Sequence, residues 1–259
     1  MIRRTLQGAC VLSFTLAVTL GAPRAMAGDV EVIGPQRVSP GATNWSGLYI
    51  GASAGRTSGD IGWQYVIPAD ETGALTREPS GGIYGGHIGI QHQIGRIVVG
   101  IEAAWTGGAF DKIDELGPDS PPFAVDYDAY ARLHAIRQIG PRLGLVMRDQ
   151  WMLYATGGYA SASLETLYVL RDPGIVGGQD TVWHNGWFLG GGVEYALTKS
   201  IILGLEYTHY DFDIARHDNS DPPGFATTRD IRGEFDVVRA RISFKLGREE
   251  VAAADEPLK

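Results

Sequence analysis

Cysteine is almost missing from this 259-residue chain, whose single Cys10 lies within a stretch that reads as an export signal. Without that stretch no disulfide and no thiolate chemistry is left. Long apolar runs are missing too: beyond residue 27 no segment approaches the roughly 20 apolar residues that a membrane helix needs. Positive charge is scarce. Lys and Arg number 22 against 30 Asp and Glu, a formal net charge of −8 at pH 7. Residues 1–27 hold Arg3, Arg4 and Arg24 and no acid, so their removal subtracts three positive charges and takes −8 to −11. A surface that acidic argues against a nucleic-acid partner. If such a chain enters a membrane, it does so as a closed β-barrel, the one other spanning structure that satisfies every backbone polar group.

The N-terminus has the three parts of a secretory signal: basic Arg3-Arg4, an apolar core over residues 9–20, and the small-residue cleavage site Ala25-Met26-Ala27. Residues 1–27 are therefore read as a signal peptide. Residues 28–44 carry Gly34, Pro35, Pro40 and Gly41 with no periodicity and read as a periplasmic linker. Residues 45–247 read as the barrel, and residues 248–259 as a charged C-terminal tail.

What the chain has in abundance is alternation. In residues 186–212 the large apolar side chains of Trp187, Leu189, Val193 and Tyr195 fall on odd positions, with Phe188, Gly190, Gly192 and Glu194 on even ones. After Thr198-Lys199-Ser200 the pattern resumes, Leu203, Leu205 and Tyr207 opposite Gly204, Glu206 and Thr208. Two period-2 runs split by a short polar turn are a β-hairpin. Gly and Glu are poor strand formers, yet they occupy one face mid-strand. A soluble sandwich would bury the apolar face against a second sheet. A membrane barrel turns it to lipid and fills its lumen with small and polar side chains.

The same reading gives strands over residues 45–55, 82–94, 97–105, 129–147, 151–163 and 234–246 besides the hairpin, eight in all. Turns at Gly95, Asp149 and Lys199 are short; the connections over 57–81, 107–128, 166–182 and 213–232 are long and carry Pro and Gly. The predicted fold is all-β: an eight-stranded antiparallel up-and-down transmembrane barrel with short periplasmic turns and long extracellular loops. Trp105 lies eight residues after Ile97, Tyr159 eight after Trp151, and Tyr195 eight after Trp187. Eight tilted residues rise about 20 Å, close to the roughly 25 Å apolar band between aromatic girdles. Tyr84, Trp105, Tyr159 and Trp187 are assigned to the loop-end girdle, Trp151 and Tyr195 to the turn-end girdle.

Strand four is the irregular one. Arg132 and His134 are expected inward, and a bulge near Arg137–Pro141 is expected to turn both Arg137 and Arg142 inward. The triplets Gly100-Ile101-Glu102, Gly192-Val193-Glu194 and Gly204-Leu205-Glu206 each set an inward Gly beside an inward Glu. Against Glu102, Glu194 and Glu206 stand inward Arg142, Arg239 and Arg241. Eight strands leave a lumen that side chains just fill, and charges buried there must pair. These six are read as a structural ion-pair layer. His87 and His92 fall on opposite faces of their strand; His184, His209 and His217 lie near the loops. No set of side chains adds up to a catalytic group, a metal site or a cofactor site.

Several stretches resemble a known family: Asn44-Trp45-Ser46-Gly47-Leu48-Tyr49-Ile50-Gly51, Val99-Gly100-Ile101-Glu102, Leu153-Tyr154-Ala155-Thr156-Gly157-Gly158-Tyr159-Ala160, Gly192-Val193-Glu194-Tyr195-Ala196-Leu197, Leu205-Glu206-Tyr207 and Val237-Val238-Arg239-Ala240. Together they are similar to the small outer-membrane immunogenic proteins of alphaproteobacteria, in the opacity-like eight-stranded porin-family group. The chain departs from the pattern in two places. Gly140-Pro141-Arg142 stands where the family has an Arg-Gly-Arg-type run, and thirteen residues follow Leu246 where members end in an aromatic. The resemblance implies residence in the outer membrane with both mature termini periplasmic, lipid and lipopolysaccharide as surroundings, and the barrel assembly machinery as a partner. The expected role is a structural, surface-exposed barrel without catalysis or cofactor. The alternatives are a narrow channel for ions or small solutes, and loops that bind haem or a host ligand.

Overall fold

The computed structural model describes residues 43–67, 74–77, 80–109, 114–116, 127–170, 176–218 and 228–246. The residues read as signal peptide, all but the last two of those read as linker, and those read as C-terminal tail lie outside the described residues.

Alternating apolar and small or polar residues generate ten antiparallel strands: β1 (Gly47–Ile67), β2 (Ala74–Arg77), β3 (Ser80–Ile94), β4 (Ile97–Ala109), β5 (Asp114–Leu116), β6 (Tyr127–Arg148), β7 (Trp151–Leu170), β8 (Val176–Ala196), β9 (Ile201–Asp218) and β10 (Thr228–Leu246). The eight long ones pair in the order β10-β9-β8-β7-β6-β4-β3-β1, and β1 pairs with β10 from Leu48↔Leu246 to Ile67↔Thr228. The wall of eight long strands thus closes on itself. The short β2 and β5 only extend the wall beside β1 and β6. The turn after β3 uses Gly95 at φ 61°, a left-handed conformation that favours glycine.

Outward positions carry Leu48, Ile50, Ile88, Ile101, Leu143, Leu153, Leu205 and Phe244, all exposed at about half their surface or a little less or more, as a lipid-facing wall requires. Exposed Tyr84 packs edge-on against Trp105 at 6.3 Å. Tyr159 and Trp187 stand opposite each other across β7 and β8, as do Trp151 and Tyr195, whose rings lie 4.8 Å apart. Tyr49 is inward and 2% exposed.

Four expectations need correction. The strands run well past the loop-end girdle: β7 continues to Leu170, β8 starts at Val176, β9 ends at Asp218 and β10 begins at Thr228. Above the membrane water satisfies the backbone, so polar and Gly-rich strands persist there without the alternation that reveals them. Second, β6 shifts register at Leu133/Ala135 and Val146/Arg148 and not near Arg137–Pro141; Ile139↔Tyr159 and Arg142↔Thr156 keep one register across Pro141. Arg137 therefore stays outward and exposed while Arg142 is buried. Third, Leu133 packs in the lumen, so its neighbour Arg132 takes the opposite face, and exposed Arg132 and His134 both reach Glu165. Fourth, the lumen is not uniformly small and polar. Toward the loops it holds an apolar layer that includes Phe188, Tyr210, Phe212 and Phe235; toward the turns a smaller one forms from Trp45, Val98, Met152, Ala196 and Ile202.

Candidate functional site

Between those two apolar layers lie the charged side chains. Glu102 on β4, Arg142 on β6, Glu194 on β8, Glu206 on β9 and Arg239 and Arg241 on β10 are each at most 5% exposed. Glu102 Oε2 accepts from Arg142 Nη1 at 3.2 Å, Arg241 Nη2 at 2.5 Å and the Tyr49 hydroxyl at 2.8 Å. Arg142 Nη2 lies 2.6 Å from Glu194 Oε2, an ion pair by distance whose angle falls outside a hydrogen bond. Glu206 is held by Arg241, by Arg239 Nε at 3.2 Å, and by the hydroxyls of Tyr154 at 2.6 Å and Thr208 at 3.1 Å. The Arg142 guanidinium sits 3.8 Å over the Tyr154 ring. Three carboxylates and three guanidiniums form one neutral network.

Local sequence makes room for it. Alternation aims all six side chains at the axis, and the inward glycines leave space for the tyrosines that stitch the network together. A Cβ on Gly192 would come within 2.8 Å of the Tyr154 hydroxyl. Parity alone did not mark Tyr49, Thr208 or Tyr210 as members. Tyr210 shares the even, inward parity of Glu206, and its hydroxyl bridges Arg239 to Gln138. Trp45, outside any strand, closes the turn end: its backbone N–H donates to Gln93 Oε1 at 2.8 Å and its backbone carbonyl accepts from Gln91 Nε2 at 2.7 Å.

The histidines separate. His87 lies inward, 2.8 Å from the Ser243 hydroxyl. His209 faces outward on Asp236 at 2.9 Å, while Asp211 pairs with Arg232 at 3.0 Å, so the two do not form an acid–base couple. His184 and His217 meet inside the wall above the girdle, Nε2 to Nε2 at 2.9 Å. The register shift opposite Ile231/Gly233 reverses the parity of β9 and turns His217 inward. His184 Nδ1 donates to the Asp213 carbonyl at 3.3 Å, so its Nε2 is the acceptor and His217 Nε2–H the donor. Thr166 Oγ1 lies 3.2 Å from His217 Nδ1. Burial lowers the pKa of both rings, that of His217 to about 4 with further lowering by His184, against which Asp180 pulls upward. Among the described residues no three His, Cys, Asp or Glu side chains are grouped to hold a metal ion.

A closed antiparallel barrel with an apolar exterior, two aromatic girdles and short turns at one end is an outer-membrane β-barrel protein. More particularly, the model of the outer membrane protein beta-barrel domain matches residues 12–232, and the chain belongs to that family. It is 26% identical over 203 residues to the 31 kDa outer-membrane immunogenic protein of Brucella melitensis biotype 1, covering 73% of this chain and 82% of the relative. The protein of the same name from Brucella suis biovar 1 matches to the same extent. Among solved structures, the attachment invasion locus protein Ail of Yersinia pestis covers 77% of this chain and 99% of its own at 10% identity and a TM-score of 0.38. OprG of Pseudomonas aeruginosa covers 80% and 99% at 13% identity and a TM-score of 0.41.

Proposed function

We propose that this protein is a sealed, non-catalytic barrel that presents its loops at the cell surface and contributes to the integrity of the outer membrane. The observation that carries this reading is the three-layered lumen: a neutral ion-pair network, its six side chains each at most 5% exposed, between two apolar layers. Every carboxylate in the network is held by guanidinium or hydroxyl groups, which leaves none poised as an acid, base or nucleophile. The Brucella relatives are named as immunogenic, in keeping with a surface antigen. Both termini are assigned to the periplasm: Thr43 N donates to Asp149 O at 3.1 Å and Lys245 N to Ser200 O at 2.9 Å, so each end of the barrel sits beside short turns. Insertion is assigned to the barrel assembly machinery.

Planar-bilayer recording on the refolded mature chain tests the sealed lumen, with heat-modifiable gel migration as the check on folding. The expected result is no steady unitary conductance. Reproducible steps whose ion selectivity changes with Arg239→Ala would instead make the protein a channel.

A further inference from the structure

Two arginines on the outer wall have a different setting from those inside. Arg137 and Arg56 are exposed and outward, and no carboxylate among the described residues pairs with either. Their depth follows from the strand register. Tyr159 of the loop-end girdle stands opposite Ile139; Arg137 lies two residues further toward the loops on β6, opposite Trp105 on β4. Trp105 stands opposite Gly86; Tyr84, two residues further toward the loops on β3, stands opposite Ala54, and Arg56 lies two residues beyond that on β1. Each step toward the loops compensates the tilt of the strands. Arg137, Trp105, Tyr84 and Arg56 therefore form one arc at the outer membrane interface, a cation at each end and two aromatics between.

Arg137 is also braced. Its guanidinium lies 4.2 Å over the Trp183 ring, reaching across the small side chains of Ser161 and Ser163, which are buried beneath it. This orientation carries the charge away from the hydrocarbon. Below the arc, on the membrane side, the wall is indented. A groove of about 610 Å³ runs between Ile50, Ile88, Ile139 and Tyr159, with Ala103 and Gly86 among the residues that line it. A shallow apolar groove at acyl-chain depth thus ends under two cations at headgroup depth that pair with no carboxylate among the described residues.

The geometry points to a specific seat for an anionic, phosphate-bearing acylated lipid of the outer leaflet, its phosphate on Arg137, its sugar or headgroup along Trp105 and Tyr84 toward Arg56, and an acyl chain in the groove. An Arg fork matches phosphate geometry and is the residue suited to it. This seat is on the outside of the wall, so it stands or falls independently of whether the lumen conducts.

The test is native mass spectrometry of the refolded full-length mature protein, released from zwitterionic detergent and titrated with diphosphoryl lipid A. Dephosphorylated lipid A, phosphatidylcholine of matched chains and inorganic phosphate serve as separate arms. Arg137→Gln is expected to weaken lipid A binding about tenfold or more, the loss of one charge-assisted contact, and Arg56→Gln to weaken it less. Ala103→Leu fills the groove without touching charge and is expected to weaken lipid A binding as well. All three changes are outward, and unchanged heat-modifiable migration confirms their folding. Equal binding by wild type and the three variants would overturn the seat, and so would equal binding of dephosphorylated lipid A. Inorganic phosphate binding as tightly as lipid A would reduce it to a plain anion site and also overturn the lipid assignment.

Discussion

The barrel obeys one rule between its girdles and another beyond them. From Ile97 to Trp105, or from Met152 to Tyr159, alternation is unbroken and each strand keeps one register with its neighbours. The register shifts among the described residues, at Tyr65/Ile67, Leu133/Ala135, Val146/Arg148, Tyr168/Val169 and Ile231/Gly233, all fall at or outside the girdles. The difference follows from solvent. A one-residue slip inside the bilayer would turn a whole lipid-facing set into the lumen and leave backbone groups unpaired where no water can reach them. Above the girdle water accepts both errors, so β6 can bulge at His134 and β9 can turn His217 inward.

The largest test of the inner rule is Arg241→Ala, which strips a guanidinium from both Glu102 and Glu206 in a dry layer. A loss of about 3–5 kcal/mol is expected, read from reversible urea unfolding in lipid vesicles. A loss below about 1 kcal/mol, the size of a solvated pair, would mean that water reaches the layer.

The outer wall gives a paired test. Ile101 lies midway between Ile97 and Trp105 and is 48% exposed, whereas Ile214 is 65% exposed above the girdle. Ile101→Arg is expected to cost about 2–4 kcal/mol and Ile214→Arg close to nothing, both measured by the same unfolding assay. Equal effects would erase the boundary drawn at Trp105.

The smallest effect concerns pH above the girdle. His184 and His217 have folded pKa values below the ordinary 6.5, that of His217 about 4. Between about 6.5 and 4 the opened segment takes up protons that the closed pair refuses, so closure weakens as pH falls and is unaffected above that window. Hydrogen exchange of the amides in residues 213–218, corrected for intrinsic rates, is expected to show lower protection at pH 5 than at pH 7.5. His217→Gln should flatten that dependence, and protection that rises toward pH 5 would contradict the assignment.

This contrast also explains what could be read in the sequence. The six residues of the ion-pair layer and the six girdle aromatics sit where lipid enforces period 2, so parity alone aims Glu206 inward and Trp105 outward. Arg132, His134 and Arg137 sit where one extra residue in β6 resets parity, and nothing in the run from Ala129 to Pro141 says which residue is extra. The apolar lumen layers escaped for another reason. Phe188, Ile202 and Phe212 look like interruptions of a polar face until the full set from several strands is brought together. Trp45, read from the sequence as the start of strand one, instead precedes β1, which begins at Gly47.

The ion-pair layer also acts as a check on completeness. Two of its three cations, Arg239 and Arg241, are on β10, the strand that closes the wall against β1. A sheet that lacks β10 would gather Glu102, Glu194 and Glu206 around Arg142 alone, three negative charges against one positive. Such an interior cannot shed its water at an acceptable cost, so an unfinished sheet is held in a wet, open state that the bilayer rejects. A chain truncated before Thr228 is accordingly expected to remain open to protease in the presence of lipid vesicles, and a compact, protected species from that truncation would contradict it. The last strand thus brings the charge of the interior to neutrality as it closes the wall.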